Sequence, residues 1–396
     1  MFLDLLRRRN PALINAAVLL HQAGDLPANT YVLDLEAVSD NTRAIAAEAA
    51  RLGLTPFAMT KQAGRNPDFC AALITGGIDQ SVAVDMECAR ATSRAGMRLG
   101  HVGHLVQVPR AEAAPAAKLA PANWTVFSYD KAREAAAAAL AIGREQSLLA
   151  RVHAEGDEFY PGHEGGFPAE DILAVADRLD ALDGARFAGV TTFPALVFDP
   201  ASRALRRTRN LATLERAAGR LRAGGRGDIQ VNGPGTNSAA ALAALADAGV
   251  TQVEPGHALT GTTPLHAAED LPERPAACYL SEVSHHYAGR AYCFGGGLYI
   301  DPVFPPYQIR ALVGRAPSDL RLADATFPPA TAIDYYAQLR PGEGPPIGAG
   351  DSVVFGFRIQ AFVTRAFTAG LTGVASGHPQ VAGIWAADGS ASSWPA

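Results

Sequence analysis

Lysine is nearly missing from this chain of 396 residues: 31 basic positions are arginine and only Lys61, Lys118 and Lys131 are lysine. Lys118 and Lys131 fall in Ala-rich, helix-like stretches where a charged side chain needs nothing but solvent. Lys61 follows an apolar run and has no such explanation. Cysteine is also scarce. Cys70, Cys88, Cys278 and Cys293 form no CxxC pair, so neither a dithiol redox motif nor a zinc ribbon is present, and buried reduced thiols are expected. Basic charge is not in excess. The formal net charge of −5 argues against a nucleic-acid-binding surface. No apolar run reaches the roughly 18 residues that a membrane-spanning helix needs. No GxGxxG opens the first β-α unit, which weakens a dinucleotide-binding reading. The N-terminus (MFLDLLRRRNPALINAAVLLHQAG) lacks the order of a secretory leader, and residues 1–29 read as an amphipathic helical segment of a cytoplasmic protein.

What is present is alternation. Short apolar or β-branched runs recur at Phe57–Thr60, Ser81–Val84, Met97–Leu105, Thr125–Ser128, Leu148–Ala154, Phe187–Phe193, Ile229–Asn232 and Thr251–Glu254. Ala/Leu-rich helical stretches separate them, including Pro67–Gly76, Asp130–Glu145 and Ala201–Arg222. Alternating β and α segments imply parallel strands. Eight of them predict a (β/α)8 TIM-type barrel, an α/β fold, over residues 30–270. From 271 to 396 the texture becomes short alternating runs broken by Gly and Pro, which predicts a mostly β C-terminal domain. Thr30–Leu35 is a candidate to join that domain, and Leu339–Gly350 reads as a loop.

Active sites of such barrels form at the C-terminal ends of the strands. Those ends carry Lys61, Asp85, His104, Ser128, His153, Thr191, Thr192, Asn232 and Glu254. A lysine at a barrel mouth is partly desolvated, which favours the neutral amine and allows a Schiff base with an aldehyde. The plainer reading is a surface lysine. Two Gly turns, NGPGTN (Asn232, Gly233, Gly235, Thr236) and EPGH (Glu254, Gly256, His257), end neighbouring strands. Glycines let backbone amides approach an anion, and a following helix start adds its dipole, so the pair predicts a phosphate cup. Glu254 can bond the ring nitrogen of pyridoxal 5'-phosphate (PLP), or simply end a strand. His153 can lie on a cofactor ring, or be an ordinary core histidine. His286, Tyr292 and Cys293, in SHHYAGRAYC, are candidate acids or bases, and no metal set is expected because their spacing fits no standard template.

These residues carry a resemblance. The motifs NTYVLDLEAVSDNTRAI, TKQAGRNPDF, RVHAEGDEFYPGHEGGFP, VNGPGTN, VEPGHALTGTTP, SHHYAGRAYCFGGG and FGFRIQAFVTR together resemble fold type III (alanine racemase-like) PLP enzymes, in their YhfX-like branch. The resemblance implies PLP as cofactor and Lys61 as its Schiff-base lysine. It implies Glu254 as partner of the pyridine nitrogen, and Gly233, Gly235, Thr236, Gly256 and His257 at the phosphate. His257 stands where the related decarboxylase motif has arginine, and Cys293 is not followed by the aspartate of the decarboxylases. His153 matches the ring-stacking histidine, and Tyr292 is a candidate counterpart of the racemase tyrosine. A homodimer with shared active sites and a small amino-acid substrate are also implied. The expected activity is a racemase or epimerase. The alternatives are a decarboxylase, a lyase or aldolase on a D-amino acid, a non-catalytic PLP carrier, and a barrel enzyme using Lys61 without cofactor. Arg65, Arg310, Arg358 and Arg365 are candidates for a substrate carboxylate.

Overall fold

The computed structural model describes residues 1–299, 307–329, 331–342, 346–392 and 394. Residues 343–345 of the expected Leu339–Gly350 loop lie outside the described residues, and its beginning is instead the end of a strand, Tyr336–Pro341. The chain forms two compact units.

One unit comprises Thr42–Thr60 and Gly77–Ala258. Its main sheet is parallel throughout, with strands in the order Ala58–Met59, Gln80–Val82, Arg98–Val102, Asn123–Val126, Gln146–His153, Ala185–Thr191, Gln230–Asn232, Gln252–Val253 and Thr55–Pro56. The two ends of that series are halves of one strand, interrupted at Phe57, whose amide donates to Val253 O at 2.8 Å. The sheet therefore closes into the expected eight-position barrel. One close approach requires glycine: a Cβ on Gly189 would stand 1.9 Å from Gln230 O on the neighbouring strand. Most strand residues are buried, apolar and polar alike, because both faces of the sheet are covered, as parallel sheets require.

Local chemistry starts the helices. Asp85 Oδ1 accepts from Cys88 N at 2.7 Å and caps Met86–Arg94; Ser128 Oγ accepts from Lys131 N at 3.3 Å and caps Tyr129–Leu140. These two strand-end groups are thus committed to caps. The helix expected from Ala201 begins later, at Arg209, capped by Thr208. A hairpin, Leu196–Asp199 with Ala204–Arg207, occupies the intervening chain. Its turn puts Arg203 at φ 55, outside the right-handed helical region.

The other unit comprises Met1–Asn41, Lys61–Gly76 and Leu259–Ala396. Six antiparallel strands close on themselves: Ala277–Tyr287, Arg290–Phe294, Tyr336–Pro341, Arg321–Thr326, Ile309–Gly314 and Ser352–Phe355, which returns to Ala277–Tyr287. Thr30–Asp34 joins through Ala277–Tyr287, as expected, and continues to Phe367–Thr372 and Gln380–Trp385. The division differs from the expected boundaries at 29 and 270. Helices Phe2–Arg9 and Pro11–Ala23 place Leu3, Leu6, Leu13 and Val18 in one apolar core with Val32, Cys278, Leu280 and Val354, so residues 1–29 are part of the β unit. Segment Lys61–Gly76 belongs to it through Asn66 Nδ2, which donates to Thr368 Oγ1 at 3.1 Å, and Trp385 Nε1, which donates to Asp68 Oδ2 at 2.8 Å.

Candidate active site

The barrel lumen is polar at the C-terminal ends of its strands. Thr191 pairs in register with both Arg151 and Asn232, so the three side chains share a face. Thr191 Oγ1 donates to Asn232 Oδ1 at 2.8 Å, and Asn232 Nδ2 donates to Glu254 Oε1 at 3.1 Å. His101 reaches the same carboxylate from a strand that is not a neighbour of the one before Glu254, so this face is the lumen. Its Nδ1 lies 2.6 Å from Glu254 Oε1 and its Nε2 2.6 Å from Thr125 Oγ1. His104 Nε2 lies 3.1 Å from Glu254 Oε2. All of these side chains are buried. Burial pushes the Glu254 carboxyl up, but His104, His101 and Asn232 outweigh it and hold the group below the usual carboxylate range. The lumen thus holds a buried carboxylate whose anionic form is favoured by its neighbours.

Asn237 laces the two Gly turns together: its Oδ1 accepts from Glu254 N at 2.7 Å and its Nδ2 donates to Gly233 O at 3.3 Å. Two amides expected in the phosphate cup are already engaged, Gly233 N with Gln252 O and Thr236 N with Leu196 O. The groups left over stand one step on. Ser238, at the start of helix Ala239–Asp247, and Thr192 each have a buried hydroxyl without a partner among the described residues. A fully buried unpaired hydroxyl beside a helix start is what a bound phosphate oxygen would satisfy. Gly235, at φ 154, keeps the turn close to Leu196 O, which a Cβ would meet at 2.6 Å. Gly256 precedes the buried His257, which opens a turn at His257–Thr260. His153 ends its strand half-buried. The aromatic cluster at the strand ends is built on Phe193 instead, with His104, Tyr160 and His163 rings 5.7 to 5.8 Å from it.

In the other unit Lys61 opens the turn Lys61–Ala63 directly after Thr60, and its Nζ lies 5.0 Å from the Phe362 ring centroid. Tyr292 stacks on His285 at 4.8 Å, and His286 Nε2 is bonded to Ile347 O at 2.8 Å. Cys293 is fully buried, and burial pushes its thiol up to about 12, the opposite of what a base needs. Arg310 and Arg365 are already paired, with Asp4 at 3.0 Å and Asp334 at 2.8 Å.

Sequence reasoning missed His101, Thr125, Arg151 and Ser238. The strand expected over Met97–Leu105 ends at Val102, which puts His101 near its end inside the lumen and His104 beyond it. The pair in GHVGHL was the available signal. His101, His104 and Glu254 also have donor atoms within 4.8 Å of one another, a metal-like grouping that the spacing did not suggest.

Residues 33–264 match the alanine racemase N-terminal domain, and residues 278–381 match the C-terminal domain described as YhfX-like. The uncharacterized protein YhfX of Escherichia coli (strain K12) is 39% identical over 385 residues, 97% of each chain. Among solved structures, D-threonine aldolase from Filomicrobium marinum superposes with a TM-score of 0.68 at 19% identity, covering 92% of this chain and 96% of that one. D-threo-3-hydroxyaspartate dehydratase from Delftia sp. HT23 gives 0.67 at 19% identity over 91% and 97%. Alanine racemase from Clostridium difficile 630 gives 0.63 at 14% over 91% and 99%. At these identities the likeness is one of fold.

Proposed function

This chain belongs to the alanine racemase-like family, whose cofactor is PLP, and on that premise we propose that it is an amino-acid racemase or epimerase that removes and returns a Cα proton. Lys61 would hold the aldehyde, Gly235, Ser238 and the start of helix Ala239–Asp247 the phosphate, and Glu254 the ring nitrogen. When bound, PLP supplies an electron sink for charge left on Cα.

The observation that carries this reading is the ionised Glu254 in the lumen. A buried anion facing a pyridine nitrogen favours its protonated form, and the sink is then strong. Lys61 Nζ serves as one proton carrier. The second comes from Tyr292 or His286 in a homodimer, because the Cys293 thiol is buried and holds its proton. Four free, buried cysteines accord with a cytoplasmic setting.

Borohydride treatment of the PLP-loaded protein should attach the cofactor to Lys61, and Lys61→Ala should abolish both the attachment and the visible absorbance. Exchange of the Cα proton for solvent deuterium across an amino-acid panel, with both enantiomers recovered, is the expected outcome. Carbon dioxide release without exchange at Cα would refute it and favour a decarboxylase. A second reading, a lyase on a D-amino acid, is favoured by the same carboxylate, because elimination and aldol cleavage need that strong sink. Two of the similar folds bear the names D-threonine aldolase and D-threo-3-hydroxyaspartate dehydratase. Release of an oxo acid or of glycine with an aldehyde would decide for it.

A further inference from the structure

We propose that His101, supported by Thr125 and joined by His104, is the positioning residue that clamps Glu254 so that one acceptor site of its carboxylate remains for the cofactor ring nitrogen. The proposal rests on the PLP reading above. An ionised carboxylate accepts at about four sites and donates at none. Oε1 is occupied by His101 Nδ1 at 2.6 Å and Asn232 Nδ2 at 3.1 Å. Oε2 is approached by His104 Nε2 at 3.1 Å. One site on Oε2 is left.

The same count assigns the protons. Because the carboxylate donates nothing, His101 must carry its proton on Nδ1 and His104 on Nε2. Thr125 Oγ1, 2.6 Å from His101 Nε2, then holds the far side of the ring and fixes its orientation. This is how an outer partner steadies a functional histidine elsewhere. The bond crosses the lumen between non-neighbouring strands, so it also fixes the carboxylate relative to the opposite wall. The titratable groups facing Glu254, among the described residues, are these two histidines.

The competing reading is a metal held by His101, His104 and Glu254. Two donors on one zinc ion at about 2.0–2.1 Å in a tetrahedral array stand roughly 3.3 Å apart. The 2.6 Å separation of His101 Nδ1 and Glu254 Oε1 is too short for that and right for a shared proton.

The test compares wild type, His101→Leu, His101→Gln and Thr125→Val, each checked for native circular dichroism. With PLP added, His101→Leu should bind the cofactor about tenfold more weakly and lower kcat about tenfold with KM within about twofold. The acid limb of the pH profile and of the bound-PLP absorbance should move up by about one pH unit, since a donor to the anionic form is gone. His101→Gln, which keeps an N–H, should recover most of the loss, and Thr125→Val should fall between. In the apo protein, NMR should show a far-downfield His101 Nδ1–H resonance that Glu254→Gln moves upfield. A folded His101→Leu with wild-type PLP affinity and pH profile overturns the proposal, as does one equivalent of zinc retained by wild type and lost in His101→Leu. Wild type that takes up no PLP overturns the functional reading and the proposal with it. The apo NMR signal then still reports separately whether the His101–Glu254 bond exists.

Discussion

Arg151→Met should stabilise the barrel. Arg151 is fully buried in strand Gln146–His153, and among the described residues its Nε and Nη1 have no partner. Its Nη2 donates to His163 O at 2.7 Å and more loosely to Phe193 O at 3.5 Å. The Phe127 ring centroid lies 4.8 Å from the guanidinium carbon, and Glu164 attracts it only through space. Burial lowers the guanidinium from its usual value to about 10. That displacement corresponds to about 3 kcal/mol against the charged form at neutral pH. Methionine has a similar shape and no charge, and replacing a buried ion by an apolar side chain is often neutral or stabilising. The bond to His163 O is lost, at a cost of about 1–2 kcal/mol. The net gain is about 1–2 kcal/mol, or roughly 2–8 °C in Tm for a unit of this size. Denaturant unfolding followed by Trp124 fluorescence reads it. The pH dependence gives a second check. The folded state releases this proton before the unfolded chain does, so the penalty is present below about 10 and fades above it. Wild type should therefore approach the stability of Arg151→Met as pH rises through about 10. A methionine variant less stable than wild type by more than about 1 kcal/mol would show that the guanidinium is well satisfied and refute the reasoning.

Three further outcomes are expected. Glu254→Gln keeps an acceptor for His101 but removes the charge, so turnover should fall at least tenfold while the fold survives; unchanged turnover would take Glu254 out of the mechanism. Cys293→Ala should leave kcat within about twofold and reduce stability by about 1 kcal/mol, read by activity assay and thermal melt, because the thiol is core packing. His21 is pulled below its ordinary 6.5, chiefly by burial, against the pull of Glu282. Its folded-state value is the lower one, so stability should fall as pH drops below 6.5, and His21→Gln should flatten that limb in melts taken across the range.

Local signals made much of this protein legible in its sequence. Eight apolar runs alternating with Ala-rich stretches are enough for a parallel barrel, because each periodicity is a property of a short segment. The rarity of lysine drew attention to Lys61, and Glu254 with Asn232 stood at strand ends that the barrel rule marks as functional. The hairpin at Leu196–Arg207 was hidden because its strands are short, and Pro200 suits a helix start as well as a turn.

The tertiary structure decided what depends on pairs distant along the chain. Nothing near residues 1–29 says that Leu6 and Leu13 share a core with Leu280 and Val354. His101 and Glu254 are 153 positions apart and meet only when the barrel closes. Asp85 and Ser128 had the same strand-end placement as Glu254, yet they cap helices while Glu254 turns inward, a choice set by the register of each strand and the partners across the lumen. Sequence determines which side chains can be charged. The closed barrel determines which of them are kept dry and paired, and chemistry depends on the second property.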